Sequence, residues 1–397
     1  MIIRSNRIYT SKGCQAGYLV IENGKIKEIL PLEANITPDE DFKDLRVIPG
    51  IFDTHNHGAC GFRFDESNEE QIRIALKGQA AYGVTGILPT IVNLEPYPIL
   101  AKLSREFVDG AQVLGIHSEG PWGSRVGEKG INLGYPPVDL EMAKEMVRLA
   151  EGKLKLVDIA PEVENALEAI DYFISEGVTV AAFHTNANYQ ETKTGFDRGI
   201  TVATHLMNVM TGLHHRDVGT AGASILDDRV YCELICDGLH VCLPMVELVL
   251  KMKDHDKIMI ISDNGAYLGA PVGRYRGLSK NANNDRKVIH VTEDGFVLSE
   301  TGRLSGSSKP VLYGISNLVE VLKMPLEDVI KMTSLNPSLK YGFDNKGSIE
   351  VNKDADFVVI TNDYKVKKTY SLGKVIFDAE KEAIPFNENF IKELKID

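Results

Sequence analysis

With 397 residues, 25% of them charged and 43% hydrophobic, the chain is too long for one small core. It has the ordinary balance of a globular protein, which excludes wholesale disorder and collagen-like repeats. Its formal net charge of −12 opposes any grip on a phosphate backbone, so no nucleic-acid partner is expected, and an anionic substrate would need a local basic cluster. The five cysteines, Cys14, Cys60, Cys232, Cys236 and Cys242, form no close C-x-x-C pair. They read as small buried thiols in a reducing compartment. The first residues lack the apolar core of a signal peptide, and no apolar run approaches the ~20 residues of a membrane span. A cytoplasmic protein with no membrane partner is expected.

In chain order, residues 1–48 predict short strands, with Asn23-Gly24 as a hairpin turn between Tyr18–Ile21 and Ile26–Leu30. Strand, loop and helix then alternate. Apolar runs occur at Val47-Ile48, Val84–Leu88, Val113–Ile116, Leu154–Ile159, Val178–Phe183, Ile200–Ala203, Val230–Ile235 and Ile258–Ile261. These are eight candidates for buried strands, and eight parallel strands with intervening helices predict a (β/α)8 TIM barrel. Asp139 to Ala150 predicts an amphipathic helix with Asp139 as its N-cap. A late insertion, Gly273–Gly302, predicts a hairpin. The C-terminal segments from Gly347 to Ile376 return to short strands. Neither end has apolar residues enough for its own core, so 1–48 with 345–397 are expected to pair into one small β-sandwich beside a barrel of residues 49–344.

A barrel of this kind places its chemistry just beyond the C-terminal ends of the strands. The first strand runs into Asp53-Thr54-His55-Asn56-His57, the third into Glu119, the fifth into His184 and the sixth into His205. The seventh leads to Asp237-Gly238-Leu239-His240, and the eighth to Ser262-Asp263. Imidazoles and carboxylates converging on one mouth suit Zn²⁺ or another first-row divalent ion. Each residue alone has a plainer explanation: a strand-end histidine is usually a hydrogen-bonded core group, and a strand-end aspartate such as Asp263 is often a helix N-cap. Recurrence on so many strands favours the metal. His117 reads as a packed neighbour of Glu119, His255 as part of a solvated turn, and His290 has no assigned role. Beyond the sixth strand, His214-His215-Arg216 in a glycine-containing loop could bind an anion, or Arg216 and Asp217 could form a surface pair.

The succession DTHNHG, IHSEGPW, FHTNAN, ATHLMNVM, HHRDVG, DGLH, Asp263 and LSGSS resembles the N-acetylglucosamine-6-phosphate deacetylases of the amidohydrolase superfamily, over nearly the whole barrel. The resemblance implies Glu119, His184 and His205 as ligands of the main metal site. It implies His55 and His57 at a second position, and Asp263 at the metal as general acid and base. His240 would polarise the acetyl carbonyl, while Asn208, Val209, His214, His215 and Arg216 would hold the sugar phosphate. Ile131, Leu304, Ser305 and Gly306 would line the same pocket. It further implies one or two divalent ions (Zn²⁺, with Fe²⁺, Co²⁺ and Mn²⁺ as substitutes), a phosphorylated amino sugar as substrate, and a homodimer.

The chain also departs from the pattern: FHTNAN stands where the family usually has GHSNAT, Lys129-Gly130-Ile131 is followed by Asn132 rather than histidine, and Asp217-Val218-Gly219 replaces Glu-Pro-Gly. These changes touch the sugar side and leave the metal set intact. The expected reaction is hydrolysis of the N-acetyl group of an N-acetylhexosamine 6-phosphate, N-acetylglucosamine 6-phosphate first, to acetate and an amino-sugar phosphate. The alternatives are the galactosamine epimer, a cyclic-amide or deaminase reaction, and a sugar-phosphate binding protein without catalysis.

Overall fold

The computed structural model describes residues 1–125, 136–280 and 286–396. Among them, eight parallel strands run in the order Ile51–Asn56, Val84–Ile91, Ile116–Trp122, Leu154–Ile159, Thr179–Ala182, Val202–Ala203, Tyr231–Ile235 and Ile258–Ile261. A short strand, Gln112–Val113, pairs with the second ahead of Ile116–Trp122 and leads into it. The eighth strand meets the first at their C-terminal ends, where Asp263 N–H donates to His55 O at 3.0 Å and His57 N–H to Asn264 O at 2.8 Å. Buried Asp53 clamps the same seam by accepting the Ser262 hydroxyl at 2.6 Å. The (β/α)8 barrel read from the sequence is therefore present.

Two strand assignments differ from expectation. Val47-Ile48 belongs to Arg46–Pro49 in the terminal sheet, and the first barrel strand starts at Ile51. One apolar run feeds two strands here, broken only by Gly50, and local pattern cannot assign such a run to a partner. The third strand likewise begins at Ile116 rather than Val113.

Strands from both ends of the chain share one eight-stranded sheet, ordered Lys374–Asp378, Val366–Ser371, Phe357–Ile360, Arg46–Pro49, Ile2–Thr10, Gly13–Glu22 and Lys25–Leu30, with Glu40–Asp41 beside Ile2–Thr10. Its period-2 alternation splits two cores. Val47, Phe357 and Val359 join Ile3, Ile8, Leu19 and Tyr370 in a small apolar cluster. Ile48, Val358 and Ile360 face the main core of the barrel.

The insertion is a four-stranded antiparallel sheet, Gly273–Lys280, Arg286–Val291, Phe296–Ser299 and Leu304–Ser307, larger than the expected hairpin. The C-terminal helix Glu388–Leu394 packs on it through Phe390 and Leu394. Helix Leu140–Ala150 starts as predicted, with Asp139 accepting from Glu141 N–H and Met142 N–H. Cys14 and Cys242 are exposed, contrary to the buried reading of all five thiols: Cys14 faces outward on a strand of the terminal sheet, and Cys242 precedes the helix Leu243–Met252. Among the described residues no helix is long and apolar enough to cross a membrane.

Candidate active site

The barrel brings the six metal-ligand candidates together at one mouth. Glu119 lies at their centre: its Oε1 is 3.3 Å from His205 Nε2, 3.6 Å from His55 Nε2 and 3.8 Å from His184 Nε2, and its Oε2 is 3.3 Å from His57 Nε2. Asp263 Oδ1 is 3.4 Å from His57 Nε2 and 3.6 Å from His55 Nε2. Two ligands bound at ~2.0–2.1 Å to one tetrahedral ion stand about 3.3–3.4 Å apart. Several of these separations match that spacing, too long for good hydrogen bonds and too short for indifferent packing. The Nε2 atoms all point inward, while the four Nδ1 atoms are buried without a hydrogen-bond partner. Among the described residues three three-residue groups could hold an ion: Glu119 with His184 and His205, Glu119 with His55 and His57, and, deeper in the barrel, His55 with His117 and Asp158. The donor set, imidazole nitrogen with carboxylate oxygen, is that of a zinc-type site.

The carboxylates and imidazoles also shift one another electrostatically. Burial alone would push the Glu119 carboxyl up, yet His57 and His205 hold it well below the usual range. Burial opposes charge on His57 too, and Glu119 and Asp263 overcome it, lifting that ring to about 10. His205 is raised to about 9 against its burial, chiefly by Glu119. For His184 burial wins, lowering it to about 4.

The backbone is strained where these side chains are presented. His184, His205, Val209 and Asp263 have φ of 38°, 32°, 49° and 49°, in the left-handed region that costs non-glycine residues of order 1–3 kcal/mol each. Asp263 caps no helix, because the next element is the strand Gly273–Lys280. Instead burial resists its ionisation, and His55 and His57 more than compensate, so it is held low. Its backbone neighbour Asn264 bridges to Ser307, which brings Gly306 beside it: a Cβ there would come within 3.9 Å of Asp263 O.

His240 is held by Asp237, whose Oδ2 lies 2.8 Å from Nδ1 and whose Oδ1 accepts the backbone N–H groups of Leu239 and His240 at 2.8 and 2.9 Å. Burial disfavours the imidazolium, and Asp237 and then Asp263 raise it nonetheless.

The expected phosphate residues lie elsewhere in character. Asn208 is buried and donates its amide to His205 O at 3.2 Å, and Val209 O accepts from Thr185 N–H at 3.1 Å, so both pack beside the ligands. His214, His215 and Arg216 stand exposed on a tight turn closed by reciprocal backbone bonds between His214 and Asp217. No hydrogen bond or ion pair among the described residues joins them to the cluster of imidazoles and carboxylates. Asp217 does not pair with Arg216; its Oδ1 accepts the N–H groups of Tyr189 and Gly219. Ile131 lies outside the described residues.

Several site residues went unread in the sequence. Asp237 was visible only as the acid three positions before His240. Asp158 and Glu233 are fully buried carboxylates inside barrel strands. Their signal was a lone charge in an apolar run, LKLVDI and YCELI. His117 is packed as expected, its Nδ1 3.1 Å from Thr54 O and its Nε2 3.1 Å from Asp158 Oδ2.

The chain is similar to known proteins over nearly its whole length. The N-acetylglucosamine-6-phosphate deacetylase of Vibrio furnissii is 29% identical over 95% of each chain. The N-acetylgalactosamine-6-phosphate deacetylase of Escherichia coli is 31% identical over 94% of this chain and 98% of its own. The solved N-acetyl-D-glucosamine-6-phosphate deacetylase of Mycobacterium smegmatis is 26% identical and superposes with a TM-score of 0.86 over 95% of this chain and 100% of that one. Residues 46–376 match the amidohydrolase family, and with a barrel mouth that gathers four imidazoles and two carboxylates, the chain belongs to that family.

Proposed function

We propose that this amidohydrolase removes the acetyl group from an N-acetylhexosamine 6-phosphate, with N-acetylglucosamine 6-phosphate as its first substrate, giving acetate and the free amino sugar. The observation that carries the reading is the placement of Asp263, a carboxylate beside two imidazoles in a strained backbone conformation with no helix to cap. Binding alone has no use for it, whereas amide hydrolysis needs a group that moves a proton twice. Relatives of both sugar epimers support the substrate class.

Glu119, His184 and His205 would hold one divalent ion, and His55 and His57 with Glu119 a second; Zn²⁺ is the ion we assign. When bound, it supplies acidification of water and polarisation of a carbonyl. Asp263 accepts the proton of the attacking water at a carboxylate oxygen, then gives it to the departing amine nitrogen, without which the C–N bond would not break. His240, with its Nδ1–H fixed on Asp237, directs Nε2–H at the acetyl oxygen and stabilises the charge developing there. Asn208, Val209 and the Leu304–Gly306 strand would seat the sugar. His214, His215 and Arg216 would take the phosphate, Arg216 by a bidentate fork. A homodimer in which this exposed turn lies near the subunit contact is part of the same reading.

The test is acetate release from a panel of N-acetylated hexosamine 6-phosphates, with metal analysis of the same sample. Turnover of the glucosamine compound above the others, with divalent metal present, is expected. No acetate from any of them would overturn the reading.

A further inference from the structure

One tier below the ligand candidates, the barrel interior turns polar. Leu156, Val202 and Tyr231 contribute to the apolar floor, and two residues further along the same strands come Asp158, Thr204 and Glu233, side chains of the same facing. Asp158 and Glu233 are fully buried, as are Thr54, His55 and His117. Charges taken this far from water persist only when each is paired and hydrogen-bonded.

Asp158 is hydrogen-bonded through one oxygen and faces an imidazole with the other: its Oδ1 accepts the Thr204 hydroxyl at 2.8 Å, and its Oδ2, without a hydrogen bond, lies 3.1 Å from His117 Nε2. Glu233 is held in the same way. Its Oε1 accepts the Thr54 hydroxyl at 2.5 Å, while Oε2 has no hydrogen bond and faces His55 Nδ1 at 3.6 Å. His55 Nδ1 is itself buried and without another partner. The two unpartnered atoms thus face each other inside the barrel, from strand seven and strand one, which flank strand eight. His117 restrains the His55 ring from below, edge to face with centroids 4.7 Å apart and planes at 87°.

We propose that Glu233 is a positioning residue for His55: it receives the Nδ1 proton, so that the ring presents its Nε2 lone pair to the cation. Imidazole has two neutral tautomers, and only the one protonated at Nδ1 leaves Nε2 free to ligate. A carboxylate behind a metal-binding histidine both selects that tautomer and makes the ring a stronger donor. Thr54 fixes Glu233 in turn, and because Thr54 precedes His55 in the chain, one strand segment holds both the ligand and the hydroxyl that steadies its partner. The inference rests on the metal-dependent reading of the site and adds to it a residue in the middle of strand seven.

The experiment measures Zn²⁺ affinity by competition with a chromophoric chelator, in wild-type protein and in Glu233→Gln, which keeps the side-chain volume. The unfolding temperature of the chelator-treated proteins is recorded in parallel. We expect the Zn²⁺ dissociation constant of Glu233→Gln to rise by about 10–100-fold, the range for loss of a partner behind a metal ligand, with unfolding temperature little changed. A folded variant whose dissociation constant stays within about threefold of wild type, below that range, overturns the inference. Should Glu233→Gln fail to fold, Thr54→Val is measured the same way, since it frees Glu233 without removing it. A weaker Zn²⁺ affinity there supports the proposal, and an unchanged one overturns it. Wild-type protein that binds no Zn²⁺ at all would instead overturn the metal reading itself, a result separable from equal binding by wild type and variant.

Discussion

Replacing Asp237 by asparagine isolates one contact of the proposed mechanism. The amide oxygen of asparagine can still accept the backbone N–H groups of Leu239 and His240, now bound at 2.8 and 2.9 Å, so the turn should hold. Its NH₂ would then face His240 Nδ1, where a carboxylate oxygen now lies 2.8 Å away. The charge that overcomes burial at His240 is gone, and the ring becomes a neutral donor to the acetyl oxygen. A hydrogen bond to a charged partner contributes about 1.5–3 kcal/mol and a neutral one about 0.5–1.5, so the transition state loses about 1–1.5 kcal/mol. At about 1.4 kcal/mol per decade, that is a fall of about 5- to 12-fold in kcat/KM. The sign with pH follows from the raised His240. The charged ring is present below its pKa and lost as pH rises through it, so the alkaline decline of activity should begin at lower pH in Asp237→Asn. Where both rings are charged, on the acid side, the two enzymes should converge. The assay is acetate release from N-acetylglucosamine 6-phosphate across pH. An unchanged alkaline limb, or a loss equal at every pH, would refute the reasoning.

Three further substitutions probe other parts of the site. Asp263→Asn should leave substrate binding intact while kcat falls by the ~10²–10⁴ typical of lost general acid–base catalysis; more than about a tenth of wild-type kcat would contradict the proton-transfer role. Arg216→Ala should raise KM for the phosphorylated sugar by about 1.5–3 kcal/mol, the worth of a charged hydrogen bond, and leave the unphosphorylated sugar nearly unaffected; equal losses on both would make Arg216 structural. His184→Ala should lower bound metal and turnover together, checked by metal analysis and kinetics on one preparation, and full metal retention would remove it from the ligand set.

The barrel was legible because its strands are buried on both faces and read as apolar runs with β-branched residues, each followed by polar turn chemistry. The candidate ligands were legible because the fold puts chemistry at one end of every strand, so His55, Glu119, His184, His205 and Asp263 recur at equivalent points. The sheet partner of Val47-Ile48 was not legible. Its neighbour Phe357–Ile360 comes from the other end of the chain, and no local pattern names a distant partner. Glu233 escaped notice because strand patterns are scanned for apolar residues, and one acid among them passes as an interruption. Its function is visible only once Thr54 and His55 are seen opposite it. The exposure of His214, His215 and Arg216 depends on the turn closed by His214 and Asp217, a tertiary detail that the dipeptide HH does not encode.

The terminal sheet has a consequence for the order in which the protein can be completed during synthesis. Arg46–Pro49 lies between Ile2–Thr10 and Phe357–Ile360, and Gly50 alone separates it from the strand that carries His55. The first neighbour emerges from the ribosome before it, but the second follows only after every barrel strand has been made. Until then the strand that leads into the metal site has one open edge, a template for pairing with the wrong chain. Fusions or truncations at the C-terminal side that remove Phe357–Ile360 should therefore be felt as aggregation of nascent chains and as misplacement of His55, at the opposite end of the sequence from the cut.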